Sequence, residues 1–144
     1  MFNTESPRRG INFVTNKVVL EAVKIKKGLS NKLVLGNLKA KRDWAHAKDC
    51  VKAHYLLLQQ EKPGDYVIAT GIYRSVEDLV NYVFNKLNLD ATKYVFTDKK
   101  YERPEELHYL QGDSTKFREL TGWKPEISFE EMIDEMIEYW MEKI

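Results

Sequence analysis

Helical and strand-type apolar patterns alternate along this chain, and the strand-type segments are few and short. Residues 12–27 place Phe13, Val14, Val18, Val19, Ala22, Val23 and Ile25 at helical spacing, with Gly28 as a stop signal. Leu33-Val34-Leu35 is a short strand. A second helix is expected over residues 47–60, with Val51, His54, Tyr55 and Leu58 on one side. Pro63-Gly64-Asp65 is a turn, and Tyr66-Val67-Ile68-Ala69-Thr70 has the composition of a buried strand. Ser75-Val76-Glu77-Asp78 has the form of a capping box with Asp in place of Glu, opening a helix to about Leu87. Residues 93–97 suggest another strand. Asp113 or Ser114 caps a short helix that ends at Gly122, and Ser128-Phe129-Glu130-Glu131 opens the last helix. Its stripe of Phe129, Met132, Ile133, Met136, Ile137, Trp140 and Met141 reads as core. Such alternation specifies an α/β domain over residues 1–144, with only about three strands, too few for a large self-contained sheet.

Composition narrows the function classes. With 43% hydrophobic and 31% charged residues the chain is of globular, soluble type. A net charge of +1 argues against a general nucleic-acid binder. The single cysteine, Cys50, excludes an internal disulfide and suggests a reducing, cytoplasmic setting. No apolar run approaches the ~20 residues of a membrane span, and the N-terminus lacks the apolar core of a signal peptide. His46 and His108 have no metal-ligand spacing, so no metal site is expected. Trp44 and Trp123 read as packing residues, Cys50 as an inert buried thiol, and the Lys24–Lys27 cluster as a solvated helix face.

Two motifs carry chemistry. Leu35-Gly36-Asn37-Leu38-Lys39-Ala40-Lys41-Arg42-Asp43-Trp44 runs through a Gly-Asn turn into three cations and an Arg-Asp-Trp triplet. Phe2-Asn3-Thr4-Glu5-Ser6-Pro7-Arg8-Arg9-Gly10 precedes the first helix. Together with Val67-Ile68-Ala69-Thr70-Gly71, Arg103-Pro104-x-Glu106 and Gly122-Trp123-Lys124-Pro125, these blocks resemble the C-terminal, substrate-binding part of the GDP-mannose 4,6-dehydratase family, within the extended short-chain dehydrogenase/reductases. The resemblance implies a family that binds GDP-mannose and NADP. The family oxidises the sugar at C4, eliminates water across C5–C6 and returns the hydride to C6, forming GDP-4-keto-6-deoxymannose, a precursor of fucose.

The resemblance also implies site roles. Asn3 would contact the substrate, and Val14 and Lys17 would sit by the GDP moiety. Arg42 would pair with a diphosphate oxygen, Arg103 and Glu106 would hold the nucleotide, and Arg9 would touch NADP. Guanidinium–phosphate pairing and an anion at a helix N-terminus give these roles physical sense. Thr4 stands where the family has His, Asn16 where it has Arg, Ala45 where it has Gly and Cys50 where it has Tyr. The family's Gly-rich fingerprint and its catalytic Tyr and Lys belong to its upstream half, and no G-x-G-x-x-G occurs here. Tyr82 and Lys86 match Tyr-x-x-x-Lys in form only, inside a helix at the wrong place in the family order. The expected activity of the chain alone is therefore binding without catalysis, with no NADP held. The expected partners are GDP-mannose or GDP and either the missing nucleotide-binding half or another copy, with no nucleic acid and no membrane. A stand-alone nucleotide-sugar or assembly module and a fragment of a related reductase or epimerase are the alternatives. Phe2–Gly10 is expected to be misplaced without its neighbouring strand, so that the chain either self-associates, held partly by Phe2, Phe13 and the 66–69 region, or is poorly ordered before Gly10.

Overall fold

The structure, a computed structural model, describes residues 2–102, 107 and 109–144. In chain order the elements are β1 (Asn3–Glu5), α1 (Val14–Lys26), β2 (Leu33–Leu35), β3 (Lys41–Arg42), β4 (Trp44–His46), α2 (Ala47–Leu58), β5 (Arg74–Ser75), α3 (Val76–Lys86), α4 (Ala91–Tyr94), β6 (Val95–Thr97), α5 (Thr115–Thr121) and α6 (Phe129–Lys143). A 3-10 turn spans Lys99–Tyr101. The strands form three two-stranded ladders: β1–β4 and β2–β6 are parallel, β3–β5 antiparallel.

The main core is helical. α1 packs against both α3 and α6, burying Val18, Val19 and Val23 against Leu79, Val83, Phe84, Met132, Ile133 and Met136. Truncating one of these large side chains to Ala costs about 2–5 kcal/mol. Tyr82 and Lys86 belong to this packing. Both donate to Asp134 of α6, at 2.9 and 2.7 Å, and so tie α3 to α6.

Period-two alternation along β4 sets the second layer. Trp44 stacks on Phe129 of α6 at 6.0 Å and His46 bonds Glu135 of α6 at 2.6 Å. Ala45, between them, joins a second core with Cys50 and Ala53 of α2, Ile68, Phe117 and Trp123. The parallel register Asn3↔Trp44, Thr4↔Ala45, Glu5↔His46 repeats this alternation in β1. Asn3 and Glu5 line the cleft described below, while Thr4 meets the Cys50 thiol at 3.4 Å.

Two expectations need correction. Residues 66–70 are not a strand. The Thr70 and Gly71 amides donate to the Asp43 carboxylate at 3.0 and 2.9 Å, which turns the chain out of any ladder, and only Ile68 meets the N-terminal segment, its carbonyl accepting from the Phe2 amide at 3.2 Å. The segment 2–10 is seated, not misplaced: β1 pairs with β4, and Phe2 presses on Gly112 so closely that a Cβ there would lie 2.7 Å from the ring. The Lys24–Lys27 cluster is the solvated helix face expected, with Lys26 and Lys27 exposed, Lys24 paired with Glu21 at 2.7 Å and Lys27 donating to the Met141 carbonyl at 2.7 Å. The apolar stripe of α2 is present, but it faces outward. Val51 is 64%, Tyr55 64% and Leu58 81% exposed, and His54 is exposed beside them.

Candidate functional site

The strands β1, β2, β3 and β4 and the start of α1 meet at one cleft of about 420 Å³. β1 contributes Asn3 and Glu5, the following loop Arg9, Asn12 and Phe13, and the first turn of α1 Val14 and Lys17. The end of β2 and its turn add Leu35, Gly36 and Asn37, β3 and β4 add Arg42 and Trp44, and Tyr101 stands at the edge. Of the residues singled out from sequence, Asn3, Arg9, Val14, Lys17 and Arg42 thus line the same cleft. Arg103 and Glu106 lie outside the described residues. Glu5, Asn12, Phe13, Asn37 and Tyr101 were not singled out as ligand contacts. Phe13 stands in a core-like stripe by its spacing, and only its exposure beside the Arg9 guanidinium reveals otherwise.

The local electrostatics suit an anion. α1 begins at Phe13 with no side-chain cap and no acidic residue in its first turn, so its leading N–H groups and the positive end of its dipole are left to a ligand. Lys17 donates to the Val34 carbonyl at 2.8 Å. Arg42 donates to the carbonyls of Lys41 and Leu107 at 2.8 and 2.6 Å. The Arg9 guanidinium lies flat over the Phe13 ring, 3.5 Å from its centroid, with Nε buried and lacking a hydrogen-bond partner in the described structure. Glu5 sits at the base of this wall, 2% exposed and 3.4 Å from Arg9 Nε. Burial pushes its carboxyl up, while the Thr15 hydroxyl that donates to it and the Arg9 charge pull the other way.

Three buried side chains hold the cleft's frame. Asp43 accepts from Thr70 Oγ1 at 2.7 Å as well as from the two amides, anchoring the chain next to Arg42. Asn16, fully buried, donates to the Arg9 carbonyl and accepts from Trp140 Nε1 at 2.6 Å. Asp49, at the start of α2, accepts from the Glu126 and Ile127 amides at 3.1 and 3.0 Å. A separate depression of about 480 Å³ near Thr70, Gly71 and Gln111–Thr115 contains none of the singled-out residues. Its one cation, Arg118, is committed to the Ala69 and Thr70 carbonyls.

The family model described as GDP-mannose 4,6 dehydratase matches residues 1–136. GDP-mannose 4,6 dehydratase 2 of Arabidopsis thaliana is 49% identical over 138 residues, which are 96% of this chain and 37% of that protein. The Homo sapiens GDP-mannose 4,6 dehydratase is 44% identical over 154 residues, covering 95% of this chain and 41% of that protein. This chain belongs to the GDP-mannose 4,6-dehydratase family. It corresponds to the C-terminal part of these family members and spans about two fifths of their length, 37% and 41%. Among solved structures, RMD from Pseudomonas aeruginosa complexed with NADPH superposes with a TM-score of 0.89 at 22% identity, covering 99% of this chain and 47% of that one. A dTDP-glucose 4,6-dehydratase from Bacillus anthracis in complex with NAD gives 0.80 at 20% identity, covering 99% and 43%. At such identities these two establish the fold alone.

Of the residues that the resemblance ties to the cofactor side, Arg9 lines the cleft and Thr4 faces the Cys50 thiol at 3.4 Å.

Proposed function

We propose that this chain is the GDP-sugar-binding part of a GDP-mannose 4,6-dehydratase, an enzyme forming GDP-4-keto-6-deoxymannose, and that it binds without turning over when alone. One observation carries this reading: Asn3, Arg9, Val14, Lys17 and Arg42, carried by β1, the loop after it, α1 and β3, converge on one cleft at the uncapped N-terminus of α1. Arg42 and Lys17 take the diphosphate, Val14 and the α1 amides the adjoining nucleotide, and Asn3 the sugar. Arg103 and Glu106 belong to the same proposal through the family motif. Hydride transfer requires a nicotinamide held against the sugar, and the groups that would hold and activate it are not in this sequence. NADP is accordingly assigned to the intact enzyme and a cytoplasmic setting to the chain.

Isothermal titration with GDP and GDP-mannose tests the reading. The expected dissociation constants are on the order of tens of micromolar to millimolar, because half of the pocket wall is missing and preorganisation is lost with it. No heat with either ligand, at concentrations well above that range, refutes it. Incubation with GDP-mannose and NADP should leave the sugar unchanged, and detection of 4-keto-6-deoxy product would overturn the non-catalytic assignment.

The exposed α2 stripe favours a second element of the proposal, an assembly. The partner is the nucleotide-binding half of the enzyme or, in its absence, a second copy of this chain.

A further inference from the structure

Two aromatic rings at the cleft edge are not part of the core. Phe13 is 42% exposed and Tyr101 49%, and both line the cleft. Each carries one of the cleft's cations. The Arg9 guanidinium lies 3.5 Å from the Phe13 centroid, and the Lys17 ammonium 4.6 Å from that of Tyr101. Lys100 approaches the Tyr101 ring as well, at 4.9 Å, but it is paired with Asp98 at 3.4 Å.

The backbones under both rings are held in place. Phe13 accepts from the Lys17 amide at 2.9 Å and donates to the Gly10 carbonyl at 3.1 Å. Tyr101 ends the 3-10 turn after β6, where the Asp98 amide bonds Leu35 at 2.9 Å. The Tyr101 carbonyl presses on Gly36, and a Cβ there would lie 2.5 Å from it. A side chain at position 36 would push the turn, and the ring with it, off the cleft.

A ring holds a cation through its quadrupole. The rings consume no N–H donor, and they add to the polar contacts of the two cations, Arg9 Nε with the Glu5 carboxylate at 3.4 Å and Lys17 with the Val34 carbonyl at 2.8 Å. Lys and Arg side chains otherwise lose much rotamer freedom when a ligand immobilises them. Cations held in place beforehand avoid that loss on binding. We propose that Phe13 and Tyr101 are positioning residues, which fix the Arg9 guanidinium and the Lys17 ammonium on the cleft wall before a diphosphate arrives, so that Arg9, tied by the family resemblance to NADP, also serves the diphosphate. This rests on the reading of the cleft as a nucleoside-diphosphate-sugar site.

The test uses the variants Phe13→Leu, Tyr101→Leu and Tyr101→Phe, and two readouts. Without ligand, carbon–proton NMR of the Lys17 ε-methylene and Arg9 δ-methylene reports ring-current shifts. Each shift should vanish in its own Leu variant and persist in Tyr101→Phe. With ligand, titration of inorganic pyrophosphate and of GDP should show binding weakened about 3- to 10-fold in each Leu variant, and Tyr101→Phe equal to the parent. Unshifted parent resonances, Leu variants that bind as tightly as the parent, or a Tyr101→Phe variant as weak as Tyr101→Leu would overturn the positioning role. A parent that shows the ring shifts but binds neither ligand overturns the site reading instead.

Discussion

Arg42 sits where β3 gives way to β4, and its guanidinium is steered by two carbonyls toward the cleft wall. Removing a charged hydrogen bond to phosphate costs about 1.5–3 kcal/mol, so Arg42→Ala should weaken GDP by about 10- to 100-fold. Arg42→Lys should recover little of this, because an ammonium cannot reproduce the fork. Equal GDP affinity of parent and Arg42→Ala in calorimetry would remove Arg42 from the diphosphate site. Glu5 makes a prediction of pH dependence. Its folded-state pKa is raised by burial, so the folded protein binds the proton more tightly than the unfolded chain does. The resulting penalty is absent below the unfolded value and fully present above the folded one. Glu5→Gln should therefore gain stability relative to the parent as pH rises through that window. Urea midpoints of the two proteins at about pH 4 and about pH 8 measure the difference. A gap that stays constant or moves the other way contradicts a raised carboxyl.

Among the elements, the helix starts were the most legible in sequence. Ser75 with Asp78 and Ser128 with Glu131 form the reciprocal capping boxes that their spacing predicts, because both partners lie within one turn. Ser75→Ala or Ser128→Ala should each cost about 0.5–2 kcal/mol in denaturant unfolding, and no change in either midpoint would mean the boxes contribute nothing in solution. Asp49→Ala should cost more. It orphans the Glu126 and Ile127 amides, at about 1–3 kcal/mol for each buried group left unpaired. Strands were harder to read. Ladders two or three residues long depend on partners far along the chain, and the apolar run 66–70 gave no sign that Asp43 would take its amides. The cleft was legible in part. Its cations stand in recognisable motifs, whereas the placement of Phe13, Glu5 and Tyr101 depends on tertiary approach that no local pattern encodes. Apolar spacing likewise announced the α2 stripe of Val51, Tyr55 and Leu58, but spacing does not say which way a stripe faces.

At the scale of the molecule, the outward stripe of α2 lies beside a sheet of only two parallel strands, in which β1 pairs with β4 and with no other strand among the described residues. Parallel sheets are ordinarily wider and covered, and open strand edges recruit other chains. The isolated chain should self-associate through this surface, and Tyr55→Glu with Leu58→Lys should shift it toward monomer in light scattering without lowering its unfolding midpoint. A parent that remains strictly monomeric at high concentration would remove the assembly from the proposal. One further property follows from Asn16. Its amide joins the Trp140 indole, near the end of the chain, to the Arg9 carbonyl in the wall of the cleft. The protein thus carries its own optical probe. Any ligand that shifts the Arg9 loop alters the polarity felt by that indole, so the colour of Trp140 emission should register occupancy of the cleft without a label.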